Sequence, residues 1–445
     1  MKRVLFSLII LLLVVQYAFS QEISQKKEIA IFQLENAAGR VPKEVLSSVY
    51  SVIQETVFSM GRFEIAGYSQ TIDSSSVEEF IDKIREYKEV DAEIPEEVLM
   101  GQAAFTEADF KRLVSSFIII IPRLTFFELE KSEGVYTCTV EASITVYNVE
   151  DDKIEGQFKI SGQEMDESRA DAVNTAVSYL GPQLEYELRK VFVLRSTIID
   201  VDGGEIYLEF GKNMGIMPGD EFALLDVGVS AIGKERVNEG GLLLIKEVQD
   251  DYSVAIPLYV SHSPVVGDQI KEVPRTGIEF MPYFTYVYAP ANAKRDEDVA
   301  SLGMRFTATR GFFATRPTLG IEAPLRLGSL ITMIFDYLPI QMYIGAEVNN
   351  IYLGRLQISP TVVVGLGGLL PLDDKVREKE GMLVYTHLGG KAFVSLSYLI
   401  TRDIKIAIEP GFTMWFGMAD EVLGDLIDFT RTYYGPSFSF SVVFK

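Results

Sequence analysis

The 445-residue chain has few of the residues that most often carry chemistry, with one cysteine and two histidines. A single cysteine cannot form an internal disulfide, so no disulfide framework is expected. Cys138 lies in YTCTVEASITV among even-numbered apolar positions. This placement predicts a small core residue and not a catalytic thiol. No metal-ligand spacing is present, and GKNMG lacks the spacing and the final Lys-Ser/Thr of a phosphate loop, so no cofactor is expected.

Basic residues are also scarce, because 41 Lys and Arg stand against 63 Asp and Glu, for a net charge of −22. Nucleic acid and anionic lipid headgroups bind basic surfaces, and this balance argues against either as a main partner. The surplus of acidic charge favours solubility.

Long apolar runs are absent beyond the N-terminus, MKRVLFSLIILLLVVQYAFSQ. Two basic residues, the apolar run Val4–Val15 and small residues up to Ser20 predict a signal peptide, residues 1–20. A membrane anchor is the alternative, but the run is short for one and is interrupted at Gln16. Elsewhere the longest aliphatic run is FIIII at 117–121, so any passage through a membrane must use strands closed into a barrel.

Residues 21–195 alternate between strand and helix patterns, which predicts an α/β domain. EIAIFQLEN and FEIAGYS are typical of strands, and the sequence between them carries one apolar helical stripe. Residues 74–117 are charged and helical in character. Three further strands and a long amphipathic helix, DESRADAVNTAVSYLGPQLEYELRKVF, complete the region.

Several of these segments resemble a known periplasmic domain. IAIFQLEN, MGRFEIAGYSQ and the meander TVEASITVYNVEDDKIEGQFKIS, followed by SRADAVNTAVSYL, are similar to the fold shared by the TolB N-terminal domain, CsgG and FlgT. The resemblance implies a periplasmic interaction module that is not an enzyme. CsgG builds a pore from hairpins inserted within this fold and is lipidated, whereas no cysteine follows the apolar run here, which argues against a CsgG-type pore.

Residues 196–275 predict a small β module with closely spaced turns at 202–204, 217–220 and 267–268. The stretch GKNMGIMPGDEF resembles the C-terminal domain of FlgT-like proteins. DVDGGEIYLEFG is interpreted as a hairpin turn, because Gly211 stands where an EF-hand calcium loop needs an acidic residue.

Residues 276–445 consist of alternating segments of about ten residues separated by turns, which is typical of a transmembrane antiparallel β-barrel in the outer membrane. The strands of a soluble β-sandwich also alternate polar and apolar residues. Two features favour the barrel: one face carries mixed charges and glycines, and short connections alternate with long ones. About eight strands are predicted, and a barrel of that size fills its interior with side chains. Their centres are Phe284, Met304, Leu319, Met342, Val362, Phe393, Ile408 and Phe440.

Two sets of residues are the candidate functional positions. The first comprises charged side chains expected in the barrel lumen, namely Glu279, Arg305, Glu322, Lys391, Lys405 and Glu409, with Glu347 on the same polar face. Of these, Arg305, Glu322, Lys391 and Glu409 are expected to be buried together. The second is the C-terminal SFSFSVVFK, in which Phe438, Phe440, Val442 and Phe444 should face lipid. This pattern resembles the signal that barrel-assembly machinery recognises; that signal commonly ends on the aromatic residue, and here Lys445 follows it.

These patterns predict a non-enzymatic outer-membrane β-barrel protein that anchors a periplasmic interaction module, with envelope or flagellar assembly as the suggested role. Expected partners are outer-membrane lipid, barrel-assembly machinery and an unidentified periplasmic protein, and no nucleic acid. The expected location is the outer membrane of a diderm bacterium, with the N-terminal domains in the periplasm. The alternatives are a CsgG-like export channel and a barrel hydrolase using His387 near the outer rim.

Overall fold

The structure is a computed structural model that describes residues 23–67, 82, 97–100, 103–106, 118–132, 134–149, 151, 153–229, 234–288, 298–326, 337–371, 384–417 and 432–445. The predicted signal peptide and the tips of the four long barrel connections lie outside these ranges. The described chain is mostly β-structure, with two closed antiparallel barrels and few helices. Among the described residues, no helix combines the length and apolarity needed to cross a membrane.

The described chain divides into two compact units. The first runs to Thr197 and includes Glu209–Ile216 and Gln249–Tyr252. The second contains Ile198–Leu208, Met217–Val248 and Ser253–Lys445, and therefore holds most of one barrel and all of the other. The predicted boundary at residue 275 thus separates two barrels of one compact unit.

Among the residues that the structure describes, the first unit contains a six-stranded mixed sheet and three helices of at least ten residues. The helices are α1 (Lys43–Ser59), α2 (Arg169–Ser178) and α3 (Leu180–Val191). The strands are β1 (Lys27–Ile31), β2 (Glu35–Asn36), β3 (Phe63–Gly67), β6 (Ile118–Ser132), β7 (Val135–Asn148) and β8 (Lys153–Asp166). Their order is β3-β1-β6-β7-β8, with β2 beside β6 and with β1 parallel to both β3 and β6.

The core of this unit combines the inward face of β7, which has a period of two, with apolar residues of the three helices. Val140, Ala142 and Ile144 are buried together with Val49 and Ile53 of α1. Cys138 is a free, fully buried thiol in the same cluster, and burial raises its pKa. The interpretation of Cys138 as a core residue is confirmed.

The helical interpretation of residues 74–117 is wrong for one stretch, because β4 (Glu97–Met100) and β5 (Ala103–Thr106) form an antiparallel hairpin. Only Gly101 and Gln102 separate the two strands. The remaining residues of 74–117, apart from Asp82, lie outside the described ranges.

The smaller barrel has six strands in the order β10-β13-β12-β11-β14-β9. They are β9 (Arg195–Asp202), β10 (Glu205–Leu208), β11 (Glu221–Val229), β12 (Glu235–Val248), β13 (Ser253–Val260) and β14 (Gln269–Val273). The β9–β10 turn has Gly203 at φ 58° and Gly204 at φ 89°, a conformation that glycine adopts without steric cost. The predicted hairpin turn at 202–204 is confirmed.

The larger barrel has eight antiparallel strands, the number that the sequence predicts. They are β15 (Ile278–Val287), β16 (Val299–Ala308), β17 (Arg316–Arg326), β18 (Tyr337–Glu347), β20 (Leu356–Pro371), β21 (Val384–Leu399), β22 (Ile404–Gly417) and β23 (Tyr433–Phe444). Pairing of β15 with β23 closes the sheet, and the short β19 (Ile351–Leu353) extends β20 as a hairpin.

The two ends of the larger barrel differ. The strands β16 and β17, β18 and β20, and β21 and β22 are joined at one end by short connections, where β15 also begins. The connections that contain residues 289–297, 327–336, 372–383 and 418–431 are at the other end. These are called below the short-turn end and the long-loop end.

Candidate functional site: the charged barrel interior

The interior of the eight-stranded barrel is lined by ionised side chains that meet in pairs. Eight buried charged residues of the described ranges belong to it, namely Glu279, Arg305, Arg316, Glu322, Glu347, Lys391, Lys405 and Glu409. Four are acidic and four are basic, so the lining carries no net charge. Removing an ionised group from water is costly, and the cost is offset only where an opposite charge and hydrogen bonds meet it.

Arg305 of β16 and Glu409 of β22 form a pair that crosses the interior, since β15 and β23 lie between their strands. Both side chains are only 2% exposed. Arg305 Nη1 donates to Glu409 Oε2 at 3.2 Å, and the guanidinium lies over the ring of Phe393, 4.9 Å from its centroid. The planar guanidinium is thereby held by a carboxylate and an aromatic face together.

A second pair joins Lys391 of β21 to Glu322 of β17 and is extended by two tyrosines. Tyr283 Oη donates to Glu322 Oε2 at 2.7 Å, and Tyr343 Oη donates to Tyr283 Oη at 2.9 Å. Two glycines make room for the rings. A Cβ on Gly303 would lie 2.4 Å from the Tyr283 ring, and one on Gly320 would lie 2.2 Å from the Tyr343 ring.

The third group of charges lies nearest the short-turn end. Lys405 Nζ donates to Glu279 Oε1 at 2.6 Å and to Gln357 Oε1 at 2.9 Å. Arg316 Nη1 reaches Glu279 Oε2 at 3.4 Å, and Arg316 Nε donates to Glu347 Oε2 at 2.7 Å. Glu279 therefore receives two cations.

Glu347 and the six charged lumen positions expected from sequence all point into the barrel, and each of the six meets another of them. The candidate set did not contain Arg316, although it shares the inward parity of Glu322 on the same strand. Extending the alternation of TLGIE toward the N-terminus, past Pro317, is the signal that could have found it.

The outer face of the same barrel is apolar and exposed. Phe438, Phe440 and Phe444 of β23 are 50%, 49% and 44% exposed, and Val442 is half-buried. The serines between them turn inward, where Ser439 Oγ lies 2.6 Å from Thr285 Oγ1. Exposed apolar side chains occur on all eight strands, among them Phe284, Leu302, Leu319, Ile344, Val364, Leu388, Ile408 and Phe440.

The two histidines lie in different surroundings. His387 is buried, with its ring edge-on to that of Tyr433 at 6.4 Å. On the smaller barrel, His262 Nδ1 lies 2.9 Å from Asp226 Oδ1, and His262 Nε2 lies 3.2 Å from Asp268 Oδ2. Within the described ranges, no three His, Cys, Asp or Glu side chains are arranged to hold a metal ion.

A family model described as "TP0693-like lipoprotein, C-terminal domain" matches residues 96–188. The match covers part of the first unit and makes that stretch similar to a domain of a lipoprotein family. It is not a match to TolB, CsgG or FlgT, so the resemblance to those proteins stays a prediction. A search of curated proteins finds no relative of the chain.

Several solved structures resemble parts of the chain. Neisserial surface protein A has 9% identity and a TM-score of 0.28, covering 38% of this chain and 97% of that one. The hypothetical protein CT253 from Chlamydia trachomatis has 7% identity and a TM-score of 0.24, and the match covers 38% of this chain and 94% of that one. Lipoprotein GNA1162 from Neisseria meningitidis has 12% identity and a TM-score of 0.21, and the match covers 36% of this chain and 97% of that one. TM-scores this low establish no shared function.

Proposed function

We propose that this chain is a non-enzymatic outer-membrane β-barrel protein that anchors a periplasmic interaction module. The observation that carries the proposal is the combination of an exposed apolar outer face with a paired, neutral interior. In water, a band of exposed phenylalanine, leucine and isoleucine around a whole barrel would promote aggregation. In a bilayer the same band meets hydrocarbon, and strand closure satisfies the backbone groups that lipid cannot.

The two barrel ends support an orientation. Outer-membrane barrels carry short turns on the periplasmic side and longer loops outside. The chain enters β15 at the short-turn end, directly after the last strand of the smaller barrel. This order favours a periplasmic position for the smaller barrel, and with it for the sheet-and-helix unit that precedes it in the chain.

The first unit is the part of the chain that would bind a periplasmic partner. The first unit would supply the binding surface, on the TolB/CsgG/FlgT resemblance, to an unidentified periplasmic protein in envelope or flagellar assembly. Phe438, Phe440, Val442 and Phe444 would serve as the segment that barrel-assembly machinery recognises. Outer-membrane lipid would be the other partner.

The interior argues against the two alternatives. Ion pairs and tyrosines that cross the barrel leave no evident route for an exported protein. His387, the candidate residue for the hydrolase, is buried with its ring edge-on to that of Tyr433 and does not lie exposed at the rim. Large, stable conductance steps from the purified protein would favour the channel, and lipid or peptide hydrolysis lost in His387→Ala would favour the enzyme.

The test of the anchor is membrane fractionation combined with protease treatment of intact cells. The expected result is recovery of the protein in outer membranes, heat-modifiable gel migration, and protection of residues 21–275 until the outer membrane is broken. Recovery as a soluble protein that does not change its migration on heating would refute the barrel anchor.

A further inference from the structure

The short-turn end of the larger barrel is in close contact with the smaller barrel, and backbone atoms meet there. Gly311 N donates to Pro218 O at 2.7 Å, and Arg310 Nε donates to Asp220 Oδ1 at 3.0 Å. Gly219 has φ +85°, and a Cβ built on it would lie 2.0 Å from Thr309 O. Only glycine permits so close an approach of the β16–β17 connection.

Buried charges join the two barrels at the centre of this contact. Glu221 opens β11 of the smaller barrel and is 3% exposed. Arg275 Nε donates to Glu221 Oε2 at 2.9 Å, and Arg275 Nη1 donates to Asp403 Oδ1 at 2.6 Å. Lys445, which follows β23, pairs with the other carboxylate oxygen of Glu221. The first and last strands of the larger barrel are thus both connected to one carboxylate.

Apolar packing surrounds these charges. Leu399 at the end of β21 is 2% exposed and belongs to the same cluster as Leu242, Leu244 and Leu258 of the smaller barrel. Phe313 and Tyr352 from two short connections pack against this cluster. Arg355 also lies over the ring of Tyr259, with 4.1 Å between its Cζ and the centroid. The residues of this contact are called here the seam.

A small cavity lies between the seam and the nearest layer of barrel charges. Its lining includes Glu221 and Lys445 from the seam and Glu279, Gln357 and Lys405 from the barrel interior. This partly open pocket has a volume of about 30 Å³, room for about two or three water molecules on the scale of one per 10–15 Å³. The paired charges therefore continue from the barrel interior into the seam.

From this geometry we infer that the six-stranded barrel is a fixed floor that seals the short-turn end of the eight-stranded barrel. The inference rests on the proposed membrane location, because a floor matters only where the barrel spans a bilayer. It adds a structural role to the smaller barrel, which blocks entry from the periplasmic side. It also fixes the smaller barrel in one orientation against the membrane barrel.

The test uses the accessibility of a single introduced cysteine in the full-length protein. Thr307→Cys places a thiol at an interior position that is 1% exposed, beside Glu279 on the neighbouring strand. Cys138 is fully buried and supplies the background measurement. Val266→Cys, at a position 63% exposed on the smaller barrel, is the positive control. Isolated outer membranes are treated with a membrane-impermeant thiol reagent that reaches both ends of the barrel.

The floor predicts that Thr307→Cys reacts at least tenfold more slowly than Val266→Cys. Adding Arg275→Ala and Lys445→Ala to the Thr307→Cys variant should raise the rate at which its thiol reacts at least tenfold, because Glu221 then loses both cations. The matched control is Glu239→Gln with Arg402→Gln, which removes a pair across the same contact that is 43% and 37% exposed. Exposed pairs contribute little, so protection should persist in this control.

Heat-modifiable migration of the same samples separates the two proposals. If the wild-type protein is absent from membranes or does not change its migration, the proposed function fails. If it is inserted and Thr307→Cys still reacts rapidly with the seam intact, the floor is refuted and the anchor stands. A third outcome, in inserted protein, is that the Thr307→Cys thiol stays protected from the reagent both in the charge variants and in Gly219→Val. That result would also refute the floor, because the barrel interior alone would then exclude the reagent.

Discussion

Phe440 on the last strand lies directly opposite Phe284 on the first strand of the larger barrel, and both rings face outward. The same register places Phe438 opposite Tyr286 and Phe444 opposite Phe280. The apolar residues that end the sequence therefore complete the outer face at the joint where the barrel closes.

Deletion of residues 438–445 should abolish membrane insertion. The deletion removes most of β23 and leaves β15 and β22 with unpaired edges, and each unpaired backbone group in lipid costs several kcal/mol. Fractionation and heat-modifiable migration measure the outcome, with the truncated chain expected in the periplasm or degraded. A matched variant, Phe284→Leu on the facing strand, keeps every strand and the C-terminal segment and should insert. Normal insertion of the truncated chain would contradict a closed barrel.

Glu409→Ala should destabilise the barrel by about 3–5 kcal/mol, the cost of leaving a buried partner such as Arg305 without its counter-charge. The measurement is the urea midpoint of the protein in lipid vesicles. A double variant, Glu409→Leu with Arg305→Met, should lose less than Glu409→Ala, because no charge is then left buried alone. Equal midpoints for wild type and Glu409→Ala would show that the pair is not desolvated.

The Lys445 amine should titrate near pH 8. Burial lowers its pKa to about 8 from an ordinary value of 10.5, although Glu221 opposes the shift. The unfolded chain then binds more protons than the folded protein between about pH 8 and 10.5, so the free energy of unfolding should rise with pH across that window. Carbon-13 NMR of the lysine Cε reports the titration, with Lys445→Arg identifying the resonance. A midpoint near 10.5 would contradict a buried amine.

The Glu221 carboxylate should give the opposite response at acid pH. Burial would raise its pKa, but Lys445 and Arg275 outweigh burial and lower it below the ordinary 4.5. Its contribution to stability is present above pH 4.5 and is lost as the pH falls through the depressed pKa. Glu221→Gln should therefore flatten the acid limb of the unfolding curve, and an unchanged acid limb would contradict this pairing.

Gly320→Ala should destabilise the larger barrel, by about 1–3 kcal/mol if the Tyr343 ring can shift. The added methyl would lie 2.2 Å from that ring. Gly228→Ala is the matched control, because a Cβ there meets nothing within 4 Å. Urea midpoints of the two variants in vesicles should differ clearly, and equal midpoints would show that the Tyr343 ring is not tightly packed.

Alternation with period two was sufficient to predict the eight strands of the larger barrel, because each strand has one apolar and one polar face. This alternation places Arg305 and Glu409 in the interior but does not predict that they form a salt bridge with each other. Their contact joins residues 104 positions apart in the sequence and depends on strand order and register. A single sequence specifies those quantities only weakly.

The seam was not predictable for a related reason. Gly219 was assigned to a turn, and the turn is correct, but the sequence gives no sign that another connection approaches its backbone. Arg275 precedes the first strand of the larger barrel, and no sequence pattern marks it. Its role depends on Glu221 and Asp403, which the fold brings together from positions 54 and 128 residues away. The β4–β5 hairpin was missed because its two strands are only four residues each.

The four acidic and four basic side chains described in the barrel interior cancel, so they contribute nothing to the net charge of −22. If the protein lies in a membrane as proposed, neighbouring copies would repel one another through the remaining acidic surplus, over about 10 Å at 0.1 M salt. Lateral crowding of the protein should depend on ionic strength, and divalent cations should relieve the repulsion while leaving the buried pairs untouched.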